Sequence, residues 1–136
     1  MSARKRPAPQ PNPETQAFWD GLGEGVLRIK TCGNCHEGHY YPRHICPHCG
    51  SADTRWLDTA GTGEIYSLSV MRRGEGAPFA VAYVTLDEGP SVLTNLVADD
   101  LDALAIGQRV RLAPQPGDAD DIGDGPALPV FAAIGD

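Results

Sequence analysis

Near the start of the chain, apolar residues recur at the spacing of one face of a helix. Phe18 and Leu22 are four residues apart, and Asn12 and Pro13 stand shortly before them. An asparagine followed by proline is a typical helix start, because the asparagine side chain caps free N–H groups and proline fits the first helical position. We therefore predict a helix from residue 12 to about residue 22, ended by the glycines that follow.

Beyond this helix, apolar and polar residues alternate in the manner of strands. A short strand is predicted at residues 26–29. Five more are predicted at 64–71, 79–86, 91–97, 108–112 and 130–134. In the first of these five, Tyr66, Leu68 and Val70 should share one face. Residues 79–86 are apolar on both faces, which favours a central strand.

The order of these segments predicts a fold class. A short helix, capped by Asp99 or Asp100, is expected between the third and fourth of the five strands. Three strands, a helix and two strands is the order of the OB-fold, a five-stranded Greek-key barrel. We expect a mainly β protein with a disordered basic arm at 1–11, a helix and metal-binding ribbon at 12–55, and the barrel at 56–136.

Four cysteines in two pairs form the strongest motif. Cys32 and Cys35 are separated from Cys46 and Cys49 by ten residues. Two such Cys-x-x-Cys turns can bring four thiolates into a tetrahedron, which suits structural Zn²⁺; iron is an alternative with the same ligands. Gly50 follows the second pair, where a positive φ is needed, but His36 follows the first, so a less regular first turn is expected.

Other side chains offer fewer candidate sites. Histidines 36, 39, 44 and 48 crowd the ribbon, but four thiolates already complete a closed shell and leave no position for a catalytic water. Gly61-Thr62-Gly63 is too short for a phosphate loop and indicates a turn or bulge at the start of a strand. Residues 114–127 are rich in Pro, Gly and Asp and predict a mobile loop that lacks the calcium-binding pattern.

Composition narrows the classes of function. The 136 residues carry a net charge of −7, which disfavours nucleic acid as a partner. No apolar run reaches the roughly 20 residues of a membrane span, and no signal-peptide pattern is visible. We expect a cytoplasmic protein, whose thiols stay reduced and bind metal instead of forming disulfides.

The sequence offers few catalytic groups. No cysteine is left as a nucleophile, and Lys30 is the one lysine outside the first eleven residues.

Taken in order, these parts resemble the rubredoxin-like zinc-ribbon plus OB-fold proteins associated with acyl-CoA enzymes, the family of domain of unknown function 35. The resemblance lies in Phe18-Trp19, residues 27–35, Tyr41-Pro42-Arg43, residues 46–50, residues 61–67, residues 86–89, residues 106–110 and Pro129-Val130-Phe131. It covers nearly all of residues 14–134. No single motif is specific, but their order is.

The resemblance implies a partner. Such proteins accompany a thiolase-superfamily enzyme (a thiolase, acyltransferase or retro-aldolase acting on CoA thioesters) or an enoyl-CoA hydratase-like enzyme. We expect a non-catalytic accessory subunit of acyl-CoA or lipid metabolism. The alternative is a nucleic-acid-binding zinc-ribbon and OB module, which the acidic charge disfavours.

Two groups of residues are candidates for binding. Aromatic and arginine side chains are common interface anchors, so we predict docking of the partner enzyme through Phe18, Trp19, Tyr40, Tyr41 and Arg43. Arg72 and Arg73 are expected in a loop of the barrel that often binds ligands. Because arginine suits phosphate, they are candidate contacts for the phosphates of CoA.

Overall fold

The computed structural model of the chain describes residues 10–72, 78–116 and 127–134. The described elements are α1 Gln16–Gly23, β1 Arg28–Cys32, β2 Gly38–His39, β3 Thr54–Asp58, β4 Thr62–Met71, β5 Phe79–Leu86, β6 Ser91–Val97, a 3-10 turn Leu101–Ala103, β7 Arg109–Leu112, β8 Gln115–Pro116, β9 Ala127–Leu128 and β10 Phe131–Ala133. The predicted fold class, mainly β with one N-terminal helix, a ribbon and a five-stranded barrel, is confirmed.

Helix α1 begins at Gln16, so the prediction of a helix starting at residue 12 is wrong by one turn. Asn12 does cap, but it caps the turn that precedes the helix. Its side-chain oxygen accepts from the Thr15 backbone N–H at 3.0 Å, and its backbone carbonyl accepts from the same N–H at 3.0 Å. An asparagine that closes a turn in this way competes with continuous helix. The helix ends at Gly23, close to the predicted position.

The ribbon is a three-stranded antiparallel sheet in the order β2-β1-β3. β1 starts at Arg28, two residues later than predicted, and runs into Cys32. Trp56 lies in β3 and pairs with Lys30 of β1. β3 therefore crosses residue 55, where the ribbon was predicted to end, and the first barrel strand starts at Thr62.

The barrel closes in the strand order β10-β6-β5-β4-β7. β6 and β10 are parallel, and the other neighbouring strands are antiparallel. With the 3-10 turn between the third and fourth barrel strands, this is the OB-fold arrangement. Asp100 caps that turn by accepting from the Asp102 N–H, and Gly107 follows it with φ +92°.

A β-bulge corrects the predicted face of β4. The register with β5 shifts between Ile65 and Ser67, which leaves Tyr66 as the extra residue. Ile65 points into the core, Leu68 and Val70 pack against it, and Tyr66 is 70% exposed. Tyr66 therefore does not share a face with the other two, since an inserted residue shifts the alternation of side chains.

Strand β5 is central, as predicted, and lies between β4 and β6. Its two faces differ, however. Ala80, Val84 and Leu86 are buried, whereas Tyr83 on the other face is 47% exposed beside Leu93 of β6. The outer face of the barrel thus carries exposed apolar side chains that the sequence pattern placed in a buried layer.

One hydrophobic cluster joins the ribbon to the barrel. Phe18 and Leu22 of α1 and Ile29 of β1 belong to the same buried cluster as Ile65 and Phe131 of the barrel. Burial of these side chains stabilises the packing of the helix against the barrel. The first metal-binding turn, which follows β1, is therefore held at a defined place.

Two predicted flexible segments lie largely outside the described residues. Within the predicted loop at 114–127, the described ends pair as the short strands β8 and β9, so they are not irregular. Residues 117–126, and residues 1–9 of the predicted arm, lie outside the described residues.

Within the described part, no helix is long and apolar enough to cross a membrane.

Candidate metal centre and ribbon surface

The four cysteine sulfurs converge on one point. Their Sγ atoms all lie within 4.8 Å of one another, with Cys32 and Cys49 at 3.6 Å and Cys35 and Cys46 at 3.7 Å. A tetrahedral site with metal–sulfur distances of about 2.3 Å has sulfur–sulfur edges of about 3.8 Å. None of the four thiols is in a disulfide. The ligand set predicted from the cysteine spacing therefore fits a tetrahedral metal ion.

The two Cys-x-x-Cys turns have the same construction. The His36 N–H donates to the Cys32 carbonyl at 2.9 Å, and the Gly50 N–H donates to the Cys46 carbonyl at 2.9 Å. His36 has φ +64° and Gly50 has φ +82°. The expectation of an irregular first turn is wrong, because histidine here adopts the left-handed conformation that the turn requires and that glycine adopts more readily.

Backbone N–H groups surround the buried sulfurs. The Cys32 sulfur accepts from the N–H groups of Asn34 and Cys35 at 3.3 and 3.4 Å, and the Cys46 sulfur accepts from that of His48 at 3.4 Å. These donors stabilise thiolates and fix the direction of the ligands.

A side chain also reaches a sulfur, which the sequence pattern did not indicate. Asn34 Nδ2 lies 3.6 Å from Cys49 Sγ, so it links the first turn to the second. The one sequence signal for this contact was that a polar residue, Asn34, stands between Cys32 and Cys35.

In the metal-free chain the pKa values of the cysteine thiols would differ widely from one another. The Asn34 amide, followed by the Ser51 backbone N–H, lowers the pKa of Cys49 to about 6. For Cys35 the Glu37 backbone N–H favours the thiolate, but burial and the neighbouring thiols outweigh it and raise the pKa to about 12. Four adjacent thiolates need a compensating cation, so metal binding and deprotonation are coupled.

Two of the ribbon histidines, His39 and His48, pack against each other within the ribbon. His39 is buried in β2, and its burial lowers the pKa of the imidazole. His48 Nε2 lies 3.3 Å from the Gly38 carbonyl. In the described part of the chain, the four cysteines form the one cluster of three or more potential ligands that could hold a metal ion.

The predicted docking residues form an aromatic cluster around Phe18. The Phe18 ring centroid lies 4.8 Å from that of Trp19, 5.8 Å from that of Tyr40 and 5.2 Å from that of Tyr41. Phe18 itself is 0% exposed, so its prediction as a direct partner contact is corrected. Its role is to support the outer rings, because it packs into the protein's own core.

The outer members of the cluster reach the surface to different degrees. Tyr41 is 38% exposed, Arg43 is exposed and Trp19 is half-buried. Tyr40 points mostly inward, and burial raises the pKa of its hydroxyl. The accessible part is therefore Trp19, Tyr41 and Arg43.

An exposed isoleucine lies two residues after Arg43 in the same segment of the chain. Ile45 is 51% exposed just before the second cysteine pair. Its neighbour His44 is held on both sides: its N–H donates to Glu14 Oε2 at 2.9 Å, and its carbonyl accepts from Thr54 Oγ1 at 2.9 Å. Sequence reasoning missed Ile45, although a lone apolar residue among polar ones was a visible signal. We call Trp19, Tyr41, Arg43 and Ile45 the ribbon surface.

Two of the remaining cationic candidates, Lys30 and Arg72, are engaged within the chain. Lys30 is 6% exposed, with Nζ 3.3 Å from Thr54 Oγ1 and 4.6 Å from the centroid of the Trp56 ring. Burial lowers the pKa of this lysine. Arg72 pairs with Asp102. Arg73, the other predicted phosphate contact, lies outside the described residues.

Comparison with known families agrees with this architecture. Residues 19–55 match the family model for the rubredoxin-like zinc ribbon domain of ChsH2, and residues 56–115 match that for its C-terminal OB-fold domain. Over 106 residues, the chain is 33% identical to a DUF35 domain-containing scaffold protein of Methanothermobacter thermautotrophicus, covering 73% of this chain and 80% of that protein.

Some relatives are longer. A probable enoyl-CoA hydratase alpha subunit of Thermomonospora curvata is 35% identical over 111 residues, which cover 79% of this chain and 35% of that protein. The chain thus spans about a third of the length of that subunit.

Solved structures show the same fold. A chain of the Ltp2-ChsH2(DUF35) aldolase superposes with a TM-score of 0.76 and 32% identity, covering 92% of this chain and 98% of that one. A DUF35-family protein of unknown function from Sulfolobus solfataricus superposes with a TM-score of 0.63 at 11% identity, covering 90% and 87%, which supports the fold alone. The chain therefore belongs to the DUF35 family of rubredoxin-like zinc-ribbon and OB-fold proteins that includes ChsH2.

Proposed function

We propose that this chain is a non-catalytic accessory subunit of a CoA-thioester enzyme of the thiolase superfamily, such as a retro-aldolase, thiolase or acyltransferase. The observation that carries the proposal is the likeness to the ChsH2(DUF35) aldolase chain, at 32% identity over 98% of that chain. The hydratase alpha subunits among the relatives support the same area of chemistry, since their names also refer to CoA thioesters.

The chemistry of the described residues supports an accessory role. All four cysteines are directed at one point, and a closed tetrahedral shell has no position for a reacting water. Lys30 is buried and held between Thr54 and Trp56. In this proposal the reaction belongs to the partner enzyme.

We assign the metal as structural Zn²⁺. Four thiolates in a closed shell are its usual structural ligand set, and the ion would hold the turn before Cys46 in place. That turn carries Tyr41, Arg43 and Ile45, so the zinc would position the ribbon surface. Free thiols in this arrangement suit a reducing compartment, for which we propose the cytoplasm.

Docking is assigned to the ribbon surface. It combines two aromatic rings and an arginine, which are side-chain types enriched at the centre of interfaces, with the exposed Ile45. The buried Phe18 fixes the orientation of the two rings. In this proposal the helix and the ribbon, which continues through β3 to Asp58, form the docking module, and the strands from Thr62 onward form the barrel module.

Contact with CoA phosphates through Arg72 and Arg73 stays a prediction. Arg72 is half-exposed, but its guanidinium already pairs with Asp102. A phosphate would therefore have to replace a carboxylate that is already in place. This makes Arg72 a secondary candidate behind the ribbon surface.

Co-expression with candidate partners tests the proposal. The full chain would be produced together with the thiolase-like, aldolase-like or hydratase-like enzyme encoded beside it, and the complex analysed by size-exclusion chromatography with light scattering. We expect co-elution, turnover of a CoA thioester by the complex, and no turnover by this chain alone. Separate elution from every such enzyme would refute the accessory role, and salt-sensitive retention on single-stranded DNA would then favour the nucleic-acid alternative.

A further inference from the structure

The four metal ligands are not equivalent in their access to solvent. Cys32 and Cys46 are 1% and 2% exposed, Cys35 is half-buried, and Cys49 is exposed. A competing ligand or an electrophile must reach a sulfur before it can displace the metal from it. Burial therefore protects three ligands to a greater degree than the fourth.

The donors around the sulfurs show the same asymmetry. Cys32 and Cys46 accept from backbone N–H groups inside their own turns. Besides the Ser51 backbone N–H that follows its own turn, Cys49 accepts from the side-chain amide of Asn34, which belongs to the other turn and is itself exposed. In the described part of the chain, and apart from the cysteines themselves, Asn34 is the one residue whose side chain donates a hydrogen bond to a ligand sulfur.

Asn34 and His48 occupy matching positions in the two turns, which makes the difference informative. Each backbone N–H donates to the first cysteine of its own turn, at 3.3 Å for Asn34 and 3.4 Å for His48. Their side chains diverge: Asn34 reaches the Cys49 sulfur, and His48 reaches the Gly38 carbonyl. The second turn therefore has no counterpart to the Asn34–Cys49 contact.

We propose that Cys49 is the labile ligand, at which metal exchange and thiol modification begin, and that Asn34 is the positioning residue that retards both. The Asn34 amide stabilises the bound sulfur and covers one of its sides. Loss of a donor to a ligand weakens metal binding in other proteins by about ten- to a hundredfold. For this exposed contact to sulfur we expect a smaller effect, about three- to tenfold in the rate of zinc loss.

Zinc transfer and alkylation test the proposal on the full zinc-loaded chain, independently of any partner. Transfer to pyridylazoresorcinol is followed by absorbance. A pulse of N-ethylmaleimide followed by peptide mass spectrometry identifies the cysteine modified first. In that reaction the sulfur adds to an alkene carbon and the adjacent carbon takes a proton from water, so no oxidant or leaving group is involved.

In the wild-type chain we expect Cys49 to be alkylated first. Asn34→Ala should accelerate both zinc transfer and Cys49 alkylation about three- to tenfold, whereas His48→Ala, the matched control, should leave both rates near wild type. First alkylation at Cys32, Cys35 or Cys46 would overturn the assignment of Cys49, even if Asn34→Ala failed to fold. Equal rates for the two variants would overturn the role of Asn34.

Discussion

The carboxylate of Asp87 accepts from both terminal nitrogens of Arg109, each at 2.8 Å. Asp87 lies just after β5 and Arg109 begins β7, so the pair ties the β5–β6 turn to a strand that closes the barrel. Thr62 of β4 donates to the same carboxylate. Three segments of the barrel thus meet at one exposed side chain.

This pair predicts a specific dependence of stability on pH. Arg109, followed by Thr62, lowers the pKa of Asp87 to about 2, below the roughly 3.9 of an unfolded aspartate. The stabilisation is therefore complete above about pH 4 and is lost as the pH falls toward 2. The stability advantage of wild type over Asp87→Asn, measured by urea unfolding, should shrink across that interval.

Arg109→Met provides the control for Asp87. In the Arg109→Met background, the effect of Asp87→Asn on the free energy of unfolding should depend much less on pH, because the principal cause of the low pKa of Asp87 is gone. Acid also releases the metal. Because this affects wild type and Asp87→Asn alike, and likewise Arg109→Met and the double variant, it cancels in each difference in the free energy of unfolding. A stability difference between wild type and Asp87→Asn that stays constant from pH 6 to pH 2 would contradict the role given to the pair.

Removal of one metal ligand should unfold the ribbon. Cys46→Ser replaces a buried sulfur that contributes to the tetrahedron. Because the free energy of metal binding is part of the free energy of folding, we expect loss of about one zinc per chain and loss of ordered structure in residues 28–58. Elemental analysis and amide exchange would measure both. A metal-free wild-type protein with unchanged thermal stability would sink this prediction.

A glycine at the start of β4 should resist enlargement. A Cβ atom at Gly63 would lie 2.5 Å from the Thr85 carbonyl oxygen and 2.8 Å from Val84 Cγ1. Since these are a backbone atom and a buried side chain, we expect Gly63→Ala to destabilise the protein by about 1–3 kcal/mol in thermal unfolding.

The matched control for Gly63 is Gly23→Ala. A Cβ at this last residue of α1 would meet nothing within 4 Å. Stability should stay within about 0.5 kcal/mol of wild type or increase slightly, since alanine favours helix. Equal losses for the two variants would show that the close contact at Gly63 has no energetic consequence.

Docking through the ribbon surface predicts an affinity loss without a change of fold. Trp19→Ala should weaken association with the partner enzyme by about 2 kcal/mol, because a truncated aromatic anchor leaves its pocket unfilled. Arg43→Ala, which removes an exposed side chain, should also weaken it. Isothermal titration calorimetry would measure the affinities, with zinc content and circular dichroism as checks on folding.

Tyr83→Ala is the control for the ribbon surface. Tyr83 is another exposed aromatic residue, located on the outer face of the barrel. Wild-type affinity in this variant, together with weakened binding in the Trp19 and Arg43 variants, is the expected pattern. Full affinity in both ribbon variants would place the interface elsewhere.

The features that sequence alone determined depend on local spacing. The two Cys-x-x-Cys pairs were sufficient to predict the ligand set, because each pair is a short turn with few conformations. The apolar pattern, interrupted by the turn residues at 87–90, located β5 and β6 at their observed bounds. Gly61-Thr62-Gly63 was correctly read as the start of a strand, although the sequence could not show that Gly63 lies against Thr85.

The features that only the tertiary structure decided depend on contacts between distant segments. Tyr66 is exposed because the register with β5 shifts beside it, and Phe18 is buried because the helix packs on the barrel. The Asn34–Cys49 contact joins residues fifteen positions apart across two turns. Periodicity reports which side chains share a face of one element, but partners, register and exposure are set by long-range packing that no local pattern encodes.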